Sequence, residues 1–150
     1  MKLEIRFRKK SIDQNPDLRD QKRLLETIPG VGEATIAHLL SFMGTPARFK
    51  NAKQLAAFVG LNPKQHESGS SVRGRSRLSK TGDASLRKAL YMPAISAKTH
   101  NPIIKAFCER LQKAGKPPMV IIGAAMRKLL HLMYGFLKSG KPFDATLVKV

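Results

Sequence analysis

Residues 67–71, Glu67-Ser68-Gly69-Ser70-Ser71, put three hydroxyls in front of a run of cations at Arg73, Arg75, Arg77 and Lys80, with Lys64 before them and Arg87 and Lys88 after. From Lys64 to Lys88 there are seven basic residues and two acidic ones, Glu67 and Asp83, a local +5. Two chemistries suit such a segment. A mobile, basic Ser/Gly loop binds phosphates through its cations alone, without reading sequence. A serine hydroxyl set among guanidinium groups also suits phosphoryl transfer, because attack on a phosphodiester requires the charge on its non-bridging oxygens to be neutralised, and arginine does this bidentately. Composition permits both and selects neither. His66 stands two residues before Ser68, but only Glu67 offers a carboxylate to orient it as a general base.

The other ionisable residues carry less. His38 and His131 lie in helical stretches and His100 beside a turn, without metal-ligand spacing, and the carboxylates are too scattered to read a two-metal cluster. The expectation is that this chain binds no metal and no cofactor of its own. The single cysteine, Cys108, rules out an internal disulfide or a site built on several thiolates, and reads as a small buried apolar side chain.

A second constellation is Leu24-Leu25-Glu26-Thr27-Ile28-Pro29-Gly30-Val31-Gly32-Glu33 and the helical run after it. Two short helices joined by a Pro-Gly-apolar-Gly turn resemble a helix-hairpin-helix module, spanning residues 18–42. Gly30 and Gly32, lacking Cβ atoms, would let backbone amides approach a phosphate, and the next helix would add its positive end. Val31 would sit between the helices. An ordinary αα-hairpin with a glycine turn is the other reading, made less attractive by a formal net charge of +18.

The elements that must hold these residues are helices. Residues 1–16 are polar and aperiodic and are expected to form a disordered or remnant arm, leaving one domain over residues 17–150. A helix is predicted from Asp17 to about Thr27 and a second from Glu33 with Ile36, Ala37, Leu39 and Leu40 on one face. Asn51 is a plausible cap for a third, stopped by Gly60 and Pro63. Residues 64–82 form a long basic loop with at most a short extended piece within 70–78. Asp83 would cap a fourth helix, bent or ended by Pro93. Asn101-Pro102 starts a fifth, and a long apolar helix follows Gly115-Lys116-Pro117-Pro118 to about Lys138. The fold class is all-α: a helix-hairpin-helix module followed by a small helical bundle.

The N-terminus has no apolar run of a secretory signal, and the apolar stretch Val120–Leu137 is broken by Arg127, Lys128 and His131, which argues against a membrane span. A cytoplasmic protein with nucleic acid as its partner is expected. Aromatic residues are 6% of the chain, few for a reader of single strands by base stacking.

Taken together, LLETIPGVGEATIAHLL, RFKNAKQLAAFVGLNPKQHESGSSVRGRSRLSKTGDASLRKALYMPA and MRKLLHLMYGFLKSGKPFDA resemble the C-terminal domain of the bridge-RNA-guided insertion-sequence transposases, the IS116/IS110/IS902 type, from about Arg19 to Thr146. The resemblance implies recombination of a mobile element into target DNA. By motif match it implies Ser68 as the nucleophile that forms a phosphoserine link, with Gly30, Gly32, Lys64, Arg73, Arg75, Arg77, Lys80 and Arg87 against nucleic acid. It further implies DNA at element ends and target as partners, a structured guide RNA, and a homo-oligomer. The family's Mg²⁺ belongs to an acidic, RuvC-like N-terminal domain that this sequence is expected to lack, so that the chain alone would bind without completing recombination. A non-catalytic helix-hairpin-helix nucleic-acid-binding protein is the alternative.

Overall fold

Three asparagines set where helices begin. The computed structural model describes residues 10–43, 48–64, 77–78 and 84–147, with backbone alone at 63–64 and 77–78. Asn15 caps α1 (Pro16–Glu26): its Oδ1 accepts from the amides of Asp17 at 3.0 Å and Leu18 at 3.4 Å. Pro16 takes the first helical position, where a missing N–H costs no helical bond. Asn51 caps α3 (Ala52–Val59), accepting from the Gln54 amide at 3.0 Å, while Gln54 Oε1 accepts from the Lys50 amide at 2.9 Å. Asn101 caps α5 (Pro102–Lys113) through the amides of Ile103 and Ile104. In each case a side-chain oxygen satisfies donors that the first helical turn leaves open.

Between these stand α2 (Glu33–Met43), α4 (Ala84–His100) and α6 (Pro118–Ser139), followed by a 3₁₀ turn at Ala145–Leu147. The fold is all-α. Among the described residues the one sheet is a pair of two-residue antiparallel strands, β1 (Pro63–Lys64) and β2 (Arg77–Leu78), in register Pro63 to Leu78 and Lys64 to Arg77. The extended piece anticipated within 70–78 thus ends at Leu78, and it has a partner at 63–64 that was not anticipated.

Two expectations change. The segment read as an arm is already helical over residues 10–14, and Ile12 is 3% exposed against the core, so the ordered chain begins well before Pro16. The second concerns Pro93, which neither ends nor splits α4: the helix runs through it from Ala84 to His100. A proline cannot donate to the carbonyl four residues earlier, which here is that of Ala89. The hydroxyl of Thr35 on α2 donates to that carbonyl at 3.3 Å, so the lost bond is replaced by one from the neighbouring helix. Asp83, expected to cap α4, lies outside the described residues.

The core gathers around α6, which packs on α1, α3, α4 and α5, while α2 rests on α4 and α1. Leu129, Leu130 and Met133 of α6 are fully buried, as are Leu86 and Leu90 of α4 and Ile104 of α5. Of the described helices, α6 has the length and apolarity to cross a membrane, yet 61% of its apolar window is buried inside the fold. Its apolar density is therefore accounted for by the core it fills.

Candidate nucleic-acid interface

The hairpin turn connecting α1 to α2 is built from both sides. Thr27 closes α1, its hydroxyl donating to the Leu24 carbonyl at 2.6 Å and accepting from the Phe143 amide at 2.8 Å, which ties the C-terminal segment to the turn. Gly30 has φ +94°, and a Cβ there would lie 2.7 Å from the backbone nitrogen and Cα of Ala97 on α4. Asn101 Nδ2 donates to the Pro29 carbonyl at 3.1 Å. Helix packing and a left-handed backbone therefore require glycine at position 30 irrespective of any ligand. Gly32 differs: it is exposed and a Cβ there would meet nothing within 4 Å. Val31, expected between the helices, is half-buried and packs on the core.

The charge on this hairpin is not that of the whole chain. From Asp13 to Glu33 there are five carboxylates (Asp13, Asp17, Asp20, Glu26 and Glu33) and three cations, Arg19, Lys22 and Arg23. Lys22 lies 3.3 Å from Asp13, 3.6 Å from Glu33 and 4.0 Å from Glu26. Burial pulls its ammonium pKa down, but the Asp13 hydrogen bond and the three carboxylate charges outweigh this and hold it above the usual lysine value. Glu33 sits in the first turn of α2, where its negative charge complements the positive helix end. That helix end, expected to face a phosphate, already has a carboxylate beside it.

The opposite charge collects elsewhere. The sequence has no Asp or Glu between Glu33 and Glu67, nor between Glu109 and Asp144, and these two runs contain α3 and α6. The two helices pack together, and a polar stripe of α6 meets the segment leading into and out of α3. Arg127 Nε donates to Asn62 Oδ1 at 3.4 Å, Tyr134 Oη to the Phe49 carbonyl at 2.8 Å, and Lys138 Nζ to the Lys50 carbonyl at 3.4 Å. His131, on the same stripe, is half-buried, and its Nε2 finds no hydrogen-bond partner among the described residues. Burial first, then the charges of Arg127, Lys128 and Lys53, hold its pKa below the ordinary histidine value. Three cations therefore converge on one imidazole.

This cationic face adjoins the root of the serine segment. Asn62, which takes the Arg127 bond, directly precedes β1. At the far side Arg87 donates to the Val59 carbonyl at 3.2 Å, placing a guanidinium on the C-terminal end of α3. The strand pairing sets Lys64 opposite Arg77 in the ladder, so both ends of the 65–76 segment meet beside this face. Ser68, Arg73, Arg75 and Lys80 lie outside the described residues, and of Lys64 and Arg77 only the backbone is described. The anticipated site residues thus divide: Gly30 and Gly32 belong to the acidic hairpin, while Lys64, Arg77 and Arg87 belong to the loop root. Along the chain Arg127 and Lys128 read only as charges that break an apolar stretch, and Lys50, Lys53 and Lys138 belong to no motif. The signal that could have found them is the acid-free run, which is visible without a structure.

Two further features bear on chemistry. His38 Nε2 lies 2.7 Å from Ser85 Oγ, with its ring stacked on Phe42 at 5.6 Å, which fastens α2 to the start of α4. Cys108 is buried, and burial, only partly offset by the charge of Lys98, raises its thiol pKa. Among the described residues no three His, Cys, Asp or Glu side chains come together as a metal site.

Fold and charge together define a small all-α domain with an acid-bearing hairpin on one part and an acid-free cationic face on another, the latter flanking a serine- and arginine-rich segment. The chain belongs to the transposase IS116/IS110/IS902 family, whose sequence profile matches residues 22–109, from α1 into α5. It is 40% identical over 134 residues to the pilin gene-inverting protein of Moraxella bovis, covering 89% of this chain and 42% of that protein. It is 26% identical over 124 residues to an uncharacterized 43.6 kDa protein of insertion element IS110 from Streptomyces coelicolor, covering 83% of this chain and 30% of the other. A transposase for insertion sequence element IS1111A from Coxiella burnetii is 36% identical over 78 residues, 51% of this chain and 21% of the relative. The chain thus spans less than half the length of these relatives.

Proposed function

We propose that this chain is a DNA-binding and strand-transfer domain of an insertion-sequence transposase, acting on DNA in the cytoplasm, with Ser68 as the nucleophile. The observation that carries the reading is the family match across residues 22–109, which includes the Glu67-Ser68-Gly69-Ser70-Ser71 segment and the cations after it. In the proposed step Ser68 Oγ forms a bond to a backbone phosphorus while the bond from that phosphorus to one deoxyribose oxygen breaks. The serine proton is lost to solvent or a base, and the departing sugar oxygen takes up a proton. One phosphodiester is exchanged for another, so no external energy source is needed. Arg73, Arg75, Arg77 and Lys80 would offset the charge that builds on the non-bridging oxygens. Lys64 and Arg87 would hold the neighbouring phosphates.

Mg²⁺, where the family uses it, would polarise the same phosphate from acidic residues of a RuvC-like domain, and this chain's contribution is the hydroxyl and the cations. Gly32, exposed at the hairpin, would add a backbone amide to a phosphate. Recognition of element end and target by pairing to a structured guide RNA, and assembly of more than one copy, belong to the same proposal through the family resemblance.

The test supplies a RuvC-like domain of the family in trans, with nicked DNA ends and guide RNA, and looks for a protein–DNA adduct that survives denaturation. Adduct with the native chain, lost in Ser68→Ala while DNA affinity is retained, supports the proposal. An adduct that persists in Ser68→Ala removes that residue from the role. Binding with no adduct from either chain leaves a non-catalytic nucleic-acid-binding protein.

A further inference from the structure

The cations of α3 and α6 lie outside everything assigned above. Lys50 and Lys53 flank the start of α3 and are exposed, and Lys138 is exposed at the end of α6. Arg127 is half-buried in the middle of α6, whereas Lys128, one residue on, lies over the Phe107 ring of α5 at 5.8 Å and is not part of this face. Arg127, His131, Tyr134 and Lys138 recur at helical spacing and face the segment around α3 through the bonds already described. None of Lys50, Lys53, Arg127 and Lys138 has a carboxylate partner among the described residues, in contrast to Lys22, which has three. The partners of Arg127 and Lys138 are uncharged oxygens and a ring, so the face keeps its positive charge, which an external polyanion stabilises.

We infer that the α3–α6 face is a nucleic-acid backbone contact in its own right, taking the phosphates of a DNA duplex. This rests on the reading of the chain as a DNA-handling domain and extends it to a named surface. From Arg127 to Lys138 the helix rises about 16 Å at 1.5 Å per residue, which matches about five phosphates of one strand. The face offers charge and little else. Tyr134 is 4% exposed with its hydroxyl committed to Phe49, and Phe49 is half-buried, so no ring is presented for base stacking. Such a surface reads backbone, not sequence, and fits a duplex better than unpaired bases. Asn62, just before β1, and Arg87, early in α4, both bond to this face.

The test measures duplex affinity of the full chain against salt concentration, with a DNA duplex and an RNA duplex of the same sequence as separate probes. Lys50→Gln, Lys53→Gln and Lys138→Gln are combined in one variant, because all three side chains are exposed and their loss leaves the core intact. Arg127→Gln is a second variant, and Arg73→Gln with Arg75→Gln and Arg77→Gln a third. The triple lysine variant is expected to lower the log–log salt slope by about two to three and to weaken binding on the order of tenfold or more at low salt on the DNA probe. An effect confined to the RNA probe overturns the assignment of DNA to this face. An unchanged slope and affinity on both probes in the triple lysine and Arg127→Gln variants, with the loop variant impaired, overturns this inference and leaves the DNA-handling reading standing. Native chain that binds neither duplex overturns both.

Discussion

Asn101 Nδ2 donates to the Pro29 carbonyl at 3.1 Å while Asn101 Oδ1 accepts the amides of Ile103 at 3.0 Å and Ile104 at 3.3 Å. One fully buried side chain thus starts α5 and fastens the hairpin turn to the corner between α4 and α5. Replacing it with alanine removes a helix cap and strands a buried carbonyl. Asn101→Ala should lower unfolding free energy by about 2–4 kcal/mol, read from urea denaturation, and a loss under about 0.5 kcal/mol would show that the corner holds without it.

The two hairpin glycines should separate stability from binding. Gly30→Ala sets a Cβ against the backbone of Ala97 and demands φ +94°, so it should destabilise the fold by roughly 2–4 kcal/mol. Gly32→Ala has open space and should leave stability within about 0.5 kcal/mol. If the turn's amides touch phosphate, Gly32→Ala weakens duplex binding at unchanged thermal stability. Equal binding by the two chains would place the phosphate contacts elsewhere.

Thr35 and Pro93 should behave as a coupled pair. Thr35→Val preserves shape but leaves the Ala89 carbonyl without its 3.3 Å donor, and a cost of about 1–2 kcal/mol is expected. Introducing Pro93→Ala into that background restores an amide donor within the helix and should recover most of the loss. Additive effects in the double-mutant cycle would mean that the hydroxyl does not substitute for the missing amide.

His131 should make the fold acid-sensitive. Its folded-state pKa lies below its unfolded value, through burial and the charges of Arg127, Lys128 and Lys53, so the unfolded chain binds more protons as pH falls. Stability from this residue is complete above about pH 6.5 and declines as the pH drops toward the folded value. Chemical denaturation followed from pH 8 to pH 5 should show the decline in the native chain and a flatter profile in His131→Gln. Identical profiles would assign the acid sensitivity to other groups.

Much of this molecule was legible in the order of its residues. The helical periods and the punctuation by Asn51, Gly60, Asn101 and Gly115 follow from local sterics and hydrogen bonding, and the helices begin and end close to where those residues put them. The family was legible too, because the hairpin and the serine segment are contiguous motifs. That Pro93 does not end its helix was not legible, because the donor that compensates it comes from Thr35, on another helix. Gly30 looked like a phosphate-approach glycine because a left-handed turn and a close helix contact demand the same residue, and only the position of Ala97 separates them.

The charge divides along the same line. The sequence by itself determined an excess of cations and the two acid-free runs that contain α3 and α6. Only the tertiary structure decided that these runs, 65 residues apart at Asn62 and Arg127, lie against each other, and that the carboxylates of the hairpin meet at Lys22. The physical reason is range: caps and helical periods act over a few residues, whereas electrostatic potential depends on distance in space, which the packing of α6 into the core sets.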